Sequence, residues 1–282
     1  MPLKRGLKWA SAPAAISLVL ALSGCSADDP TAGALPATSL NATNHTQEIT
    51  ELWNWSWIVL FAVGVIAWGL MAWALIAYRR RKGDNTLPPQ LRYNNPIETL
   101  FTIVPLILVI GFFAFTAKTM GDIETGPAKS DHTIQAIGKQ WSWDFNYTNE
   151  NVYESGIQGQ NGTEQGIPTL YLEVNKSVEV DLQSRDVIHS FWIVDFLYKK
   201  DVFPGRWNKI YFTPTKIGEF KGKCAELCGE YHSAMLFKVE VLSTPDYKAQ
   251  IDKMRAAGQT GQLQIDNSRN GNLPGDNPNV RG

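Results

Sequence analysis

The chain has 282 residues and a formal net charge of −1, long enough for one sizeable domain plus membrane segments. The near-neutral charge leaves no nucleic-acid footprint and no acidic tail, and only three cysteines exclude a disulfide-dense secreted scaffold. A hydrophobic content of 44% with a mean hydropathy of −0.18 means that apolar residues are segregated into blocks.

Taken in chain order, Lys4, Arg5 and Lys8 precede an apolar run from Ala10 to Leu22, which closes on Leu22-Ser23-Gly24-Cys25. This reads as an export signal over 1–24, and its end resembles a bacterial lipobox, which implies cleavage before Cys25 and lipid on its sulfur. Residues 25–48 are rich in Pro, Thr, Ala and Asn and read as an extracytoplasmic linker.

Region 49–118 reads as a transmembrane hairpin. Leu52 to Tyr78 carries no charge and exceeds the roughly 20 residues that cross a bilayer. Trp53, Trp55 and Trp57 mark its interfacial end, where an indole ring sits in lipid and its N–H among headgroups. The other end runs into Arg79, Arg80, Arg81 and Lys82; the positive-inside rule places this 79–95 loop, with Arg92, in the cytoplasm rather than on nucleic acid. A second span, about 97–117, contains Pro105, which membrane helices tolerate, and everything after Lys118 returns to the outside.

From 128 to 243 the pattern changes to short β-branched or alternating runs: Thr133–Ile137, Trp141–Tyr147, Thr169–Val174, Val178–Leu182, Ile188–Val194, Lys209–Phe212, Glu219–Lys221 and Leu236–Val241. These predict a sandwich or barrel. Thr244-Pro245-Asp246 opens a short helix to Ala257, and the tail from Gly258, within region 244–282, is expected to be unstructured.

The chemistry concentrates in Cys224-Ala225-Glu226-Leu227-Cys228, followed by His232 and Met235, with His189 on an earlier strand. Two thiols, an imidazole and a thioether form a soft donor set, which selects copper or zinc over calcium or magnesium. A disulfide would leave His232 and Met235 unexplained; a structural zinc site would use both cysteines and both histidines but has no use for a thioether. Two cysteines where a mononuclear copper site needs one argue for two metals bridged by both thiolates.

Cys-x-Glu-x-Cys-x-x-x-His-x-x-Met, preceded by Val187-Ile188-His189-Ser190-Phe191-Trp192, resembles subunit II of cytochrome c oxidase over roughly 50–245. The resemblance implies an α+β membrane protein, a two-helix transmembrane hairpin followed by a cupredoxin-like Greek-key β-barrel, in the bacterial plasma membrane. It implies two copper ions bridged by Cys224 and Cys228 and capped by His189 and His232, with Met235 and the Glu226 carbonyl as weak ligands. The Glu226 side chain becomes a candidate magnesium ligand at the subunit I interface. Trp141, in Gly138-Lys139-Gln140-Trp141-Ser142-Trp143, is the implied electron-entry residue, and Glu98 the implied mouth of a proton-uptake channel.

Partners implied are subunit I, which carries the haems, subunit III and a c-type cytochrome donor, with a supercomplex with a bc complex left open; the activity is oxygen reduction coupled to proton pumping. Three rivals are a copper-free quinol oxidase subunit, a membrane-tethered copper-delivery module and a zinc-stabilised domain. The sequence departs from the family in having Lys139 where a His is usual, and a polar insertion over 149–167.

Overall fold

The computed structural model describes residues 35–80, 82–83, 86–87, 89–157 and 166–265. The export signal, Cys25, part of the insertion and the tail from 266 lie outside the described residues.

Helices α1 (Thr46–Ala77) and α2 (Asn95–Glu124) are both long and apolar enough to cross a membrane. Their apolar side chains are exposed nearly all round, Ile76 to 80% and Val65 to 73%. In lipid these are the ordinary outward surface of a helix whose backbone bonds are satisfied internally. Both helices outrun the uncharged stretches that predict them. Thr46 and Thr50 are buried and bond back to the carbonyls of Thr43 and Thr46, adding a turn before the apolar run. Just before α1, Asn44 exchanges hydrogen bonds with Thr213, its N–H donating to the Thr213 carbonyl and its Oδ1 accepting from the Thr213 amide, so the end of the expected linker is folded onto the β-domain. At the far end of α2, Glu124 receives hydrogen bonds from Tyr198 and Lys200.

Ten strands follow among the described residues: β1 (His132–Lys139), β2 (Ser142–Tyr147), β3 (Val152–Ser155), β4 (Thr169–Glu173), β5 (Val178–Ser184), β6 (His189–Ile193), β7 (Tyr198–Val202), β8 (Asn208–Phe212), β9 (Gly218–Cys224) and β10 (Leu236–Leu242). They form two five-stranded sheets, ordered β3-β2-β1-β5-β8 and β4-β10-β9-β6-β7. Most pairs are antiparallel, but β1–β5 and β10–β4 are parallel, the crossovers that close two sheets into a Greek-key barrel. Strand β9 alternates buried and exposed residues as a one-sided strand must, and presents Phe220 and Cys224 inward.

The core is aromatic. Phe191 stacks on Phe237 with centroids 4.9 Å apart and planes at 15°, and Trp143 meets both edge-on at 5.6 and 5.5 Å. A Cβ on Gly222 would fall 2.1 Å from the Phe237 ring, so only glycine lets β9 pass this close to β10.

Two segments differ from expectation. Val152–Ser155 of the polar insertion is a strand, paired with β2, and residues 259–263 are docked rather than loose. Tyr153 donates to the Gln259 carbonyl, while Leu263 and Asn146 exchange hydrogen bonds of 2.9 and 3.0 Å. Leu263 is 2% exposed, and together these contacts leave β2 buried at every position.

Helix α3 (Thr244–Ala256) is capped by Ser243, whose Oγ accepts from the Asp246 amide, and it buries Tyr247, Ile251 and Met254 along one stripe. Beneath it His132 bonds Glu150 through Nδ1 and Glu173 through Nε2, each at 2.8 Å, and Tyr247 donates to the same Glu150 oxygen. Burial favours the neutral ring, but the bonds to Glu150 and Glu173 outweigh it and raise His132 above its ordinary 6.5. Glu150 is also buried, which disfavours its charge, yet His132 holds it below the usual carboxylate range.

A raised histidine stabilises the fold fully below its unfolded value and loses that contribution as pH rises through the folded one. The unfolding temperature of the β-domain is therefore expected to fall as pH climbs past the ordinary histidine range, and His132→Gln should flatten that slope. Identical slopes for the two proteins in thermal scans would count against this clamp.

Candidate metal centre

Cys224 ends β9, and the loop from there to Met235 is closed at its base by a backbone bond from the Cys224 amide to the Met235 carbonyl, at 3.0 Å. A second backbone bond, Ala225 N–H to the Ser190 carbonyl, ties the loop to β6 beside His189. A short 3-10 turn, His232–Ala234, aims His232 back into the loop. The barrel thus supplies a rigid floor, and the loop folds over it.

Both cysteines are buried and free, with their sulfurs 3.8 Å apart. On one side Cys224 Sγ lies 3.8 Å from His189 Nδ1 and 3.2 Å from the Glu226 carbonyl oxygen. On the other, Cys228 Sγ lies 3.5 Å from His232 Nδ1 and 3.7 Å from Met235 Sδ. The donors therefore divide into two like halves, each with a thiol, an imidazole and one weak ligand. His189, Cys224 and Cys228 present donor atoms all within 4.8 Å of one another. Met235 is fully buried, whereas the Glu226 side chain is exposed, so its carbonyl and its carboxylate face different surroundings.

The electrostatics explain why such a pair calls for a cation. Burial works against the Cys224 thiolate, but the His189 ring and backbone contacts at Glu226 and Ser190 outweigh it and bring the thiol down to about 7. Burial, and then the charge on Cys224, push Cys228 up to about 12. Two thiolates this close repel in a low-dielectric site, and a positive ion between them is what allows both to ionise. The donor set fits copper: it is soft, contains a thioether, and exceeds the four ligands of a tetrahedral zinc.

Residues that sequence reasoning missed hold this arrangement. Asp186 Oδ1 bonds His189 Nε2 at 2.8 Å, which leaves Nδ1 turned toward Cys224. Carboxylate support of a ligand imidazole fixes its ring and raises its basicity. A Cβ on Gly138 would lie 2.8 Å from His189 Cδ2, so the ring rests directly on β1. The only signal in the sequence was an acid three residues before a histidine, which is too common to read.

Trp141 is half-buried beside the loop; its Nε1 donates to the Cys228 carbonyl at 3.2 Å, and Gln140 Nε2 donates to the same oxygen at 2.7 Å. Tyr231 packs edge-on against the indole at 4.9 Å. Gly229, at φ +124°, a backbone conformation that side chains strain, runs under this ring, where a Cβ would come within 3.1 Å of the indole.

Glu98 is not brought to this site. It lies in the first turn of α2, and the 26 residues from there to Glu124 separate it by about 39 Å from the barrel end. There it accepts from the Asn94 amide at 3.0 Å while Asn94 accepts from Ile97, a reciprocal cap. Lys139, the last residue of β1, is buried and donates to Asp144 at 2.6 Å.

Comparison with known proteins agrees with this architecture. The model for the periplasmic domain of cytochrome c oxidase subunit II matches residues 132–242, and that for its transmembrane domain matches 37–117. The probable cytochrome c oxidase subunit 2 of Streptomyces coelicolor is 39% identical over 87% of this chain and 86% of its own. The chain belongs to the cytochrome c oxidase subunit II family.

The subunit 2 of Mycobacterium bovis is 30% identical over 91% of this chain and 84% of its own. A solved periplasmic domain of subunit II from Bradyrhizobium japonicum is 31% identical, covering 47% of this chain and 99% of that one, with a TM-score of 0.43. As a subunit II, the chain is the electron-entry subunit of a haem–copper oxidase, a membrane protein with its cupredoxin-like domain outside the cytoplasm. The family implies a copper centre, and the Cys224–Cys228 loop has the donors for it.

Proposed function

We propose that Cys224 and Cys228 bridge two copper ions, with His189 and His232 capping one each, Met235 completing one and the Glu226 carbonyl the other. The observation that carries this reading is the division of six donors into two matched halves about the sulfur pair. Two bridged coppers supply a one-electron couple whose charge change is spread over both ions.

The protein's own part is to hold the donors still and dry. The thiols and Met235 are buried, so little solvent reorganises about them. Trp141, hydrogen-bonded to Cys228 and partly exposed, is the surface contact for the donor, which we take to be a c-type cytochrome. Subunit I, with its haems, is the acceptor, and subunit III completes the core. The exposed Glu226 carboxylate is free to bind magnesium at that interface, a hard-oxygen role. Glu98, at the opposite membrane face from the barrel, takes the proton-uptake role, and the 79–95 loop is cytoplasmic. Cys25 carries a lipid anchor after signal cleavage.

Metal analysis of the purified oxidase tests the centre. Two copper ions per chain beyond the copper of subunit I are expected, with a near-infrared band that disappears on reduction. A single zinc ion, colourless and redox-inert, would sink the reading.

A further inference from the structure

Behind the metal centre sits a buried charge group that the family role does not use. Asp144 on β2 accepts a hydrogen bond from Lys139 Nζ at 2.6 Å and forms an ion pair with Arg185 Nη2 at 3.1 Å, and all three side chains are at most 8% exposed. Ser155 on β3 adds a hydrogen bond to Asp144 at 2.6 Å. Buried ion groups seldom stabilise more than an apolar replacement would, so their presence points to a geometric task.

That task is legible in the turn between β5 and β6. Arg185 donates its backbone N–H to the Gly138 carbonyl at 3.0 Å and reaches Asp144 with its guanidinium. The next residue, Asp186, bonds His189 Nε2 at 2.8 Å and accepts from the Gln140 and Val187 amides, each at 2.7 Å. Neighbouring side chains of one tight turn thus grip the charge group and the imidazole, while Gly138, held by Arg185, is the surface on which that ring lies.

We propose that Arg185 is a positioning residue for the metal centre. By anchoring the 184–187 turn to Asp144, it fixes Asp186 and with it the plane of the His189 ring. This rests on the reading of His189 as a copper ligand. A guanidinium suits the task because it keeps its charge when buried, whereas a buried lysine readily loses its proton.

The test is made on the whole oxidase, by copper content, copper hyperfine pattern in electron paramagnetic resonance and reduction potential. Arg185→Met should keep its copper on purification, shift the hyperfine splitting and the potential, and lose copper to a chelator up to about tenfold more readily. Lys139→Met keeps the Asp144–Arg185 bond and should show the parent hyperfine pattern. If Arg185→Met does not assemble, Arg185→Gln is measured instead, with the same shift expected because the ion pair to Asp144 is lost. An unchanged hyperfine pattern and potential in the Arg185 variant would overturn the proposal. So would equal changes in the Arg185 and Lys139 variants, which mean general loosening. A parent protein without copper would instead refute the ligand assignment itself.

Discussion

Replacing Cys228 with serine is expected to abolish metal retention and electron entry. Cys228 Sγ is within 3.8 Å of Cys224 Sγ, His232 Nδ1 and Met235 Sδ, so it joins the two halves of the donor set. Serine keeps the volume nearly unchanged, but its hydroxyl does not ionise near neutral pH and is a hard donor where soft sulfur is required. Losing an outer partner of a metal ligand typically weakens metal affinity by about 10–100-fold, and losing a bridging ligand should exceed the upper end of that range. Copper content and the rate of donor oxidation by the purified oxidase measure the effect. Full copper content in the serine variant would show that this sulfur is not shared between metals.

The largest effect on stability is expected from Asp144→Ala. The carboxylate is 1% exposed and is the counter-ion of both Lys139 and Arg185, themselves 8% and 1% exposed. Removing it leaves two cations buried without their shared partner, which costs about 3–5 kcal/mol in comparable cases. Lys139→Met should cost much less, because the Asp144–Arg185 bond survives and a methionine occupies the path of the lysine stem. Chemical denaturation followed by tryptophan fluorescence gives the comparison, since Trp143 lies in the same core. A loss below about 1 kcal/mol for Asp144→Ala, the scale of an exposed pair, would mean that the group is wetter than its geometry indicates.

The same residues explain the departure at Lys139. A lysine there is at odds with a buried strand end until Asp144 and Ser155 are seen around its ammonium group. The sequence carries no sign of this, because Lys139 and Asp144 are brought together by the β1–β2 register, in which Ile137 pairs with Asp144 and Lys139 with Ser142. Strand β7 was hidden for a related reason. Tyr198-Lys199-Lys200-Asp201-Val202 is an edge strand whose exposed face is polar, so it lacks the apolar alternation that reveals a strand. Strand β3 and the docked segment 259–263 belong together: polar stretches far apart in the chain, they exchange backbone hydrogen bonds with each other while each also bonds β2.

By itself the sequence determined the two spans, the late cysteine pair with its histidine and methionine, and the family that this pattern marks. Each is local: lipid demands an unbroken run without charge, and a ligand loop demands soft donors at close spacing. Only the tertiary structure decided which donor faces which sulfur, that Asp186 and Gly138 hold the His189 ring, and that Asp144 gathers two buried cations behind it. These depend on strand register and on a turn between sheets, which are properties of the closed barrel and have no counterpart in any short stretch of chain.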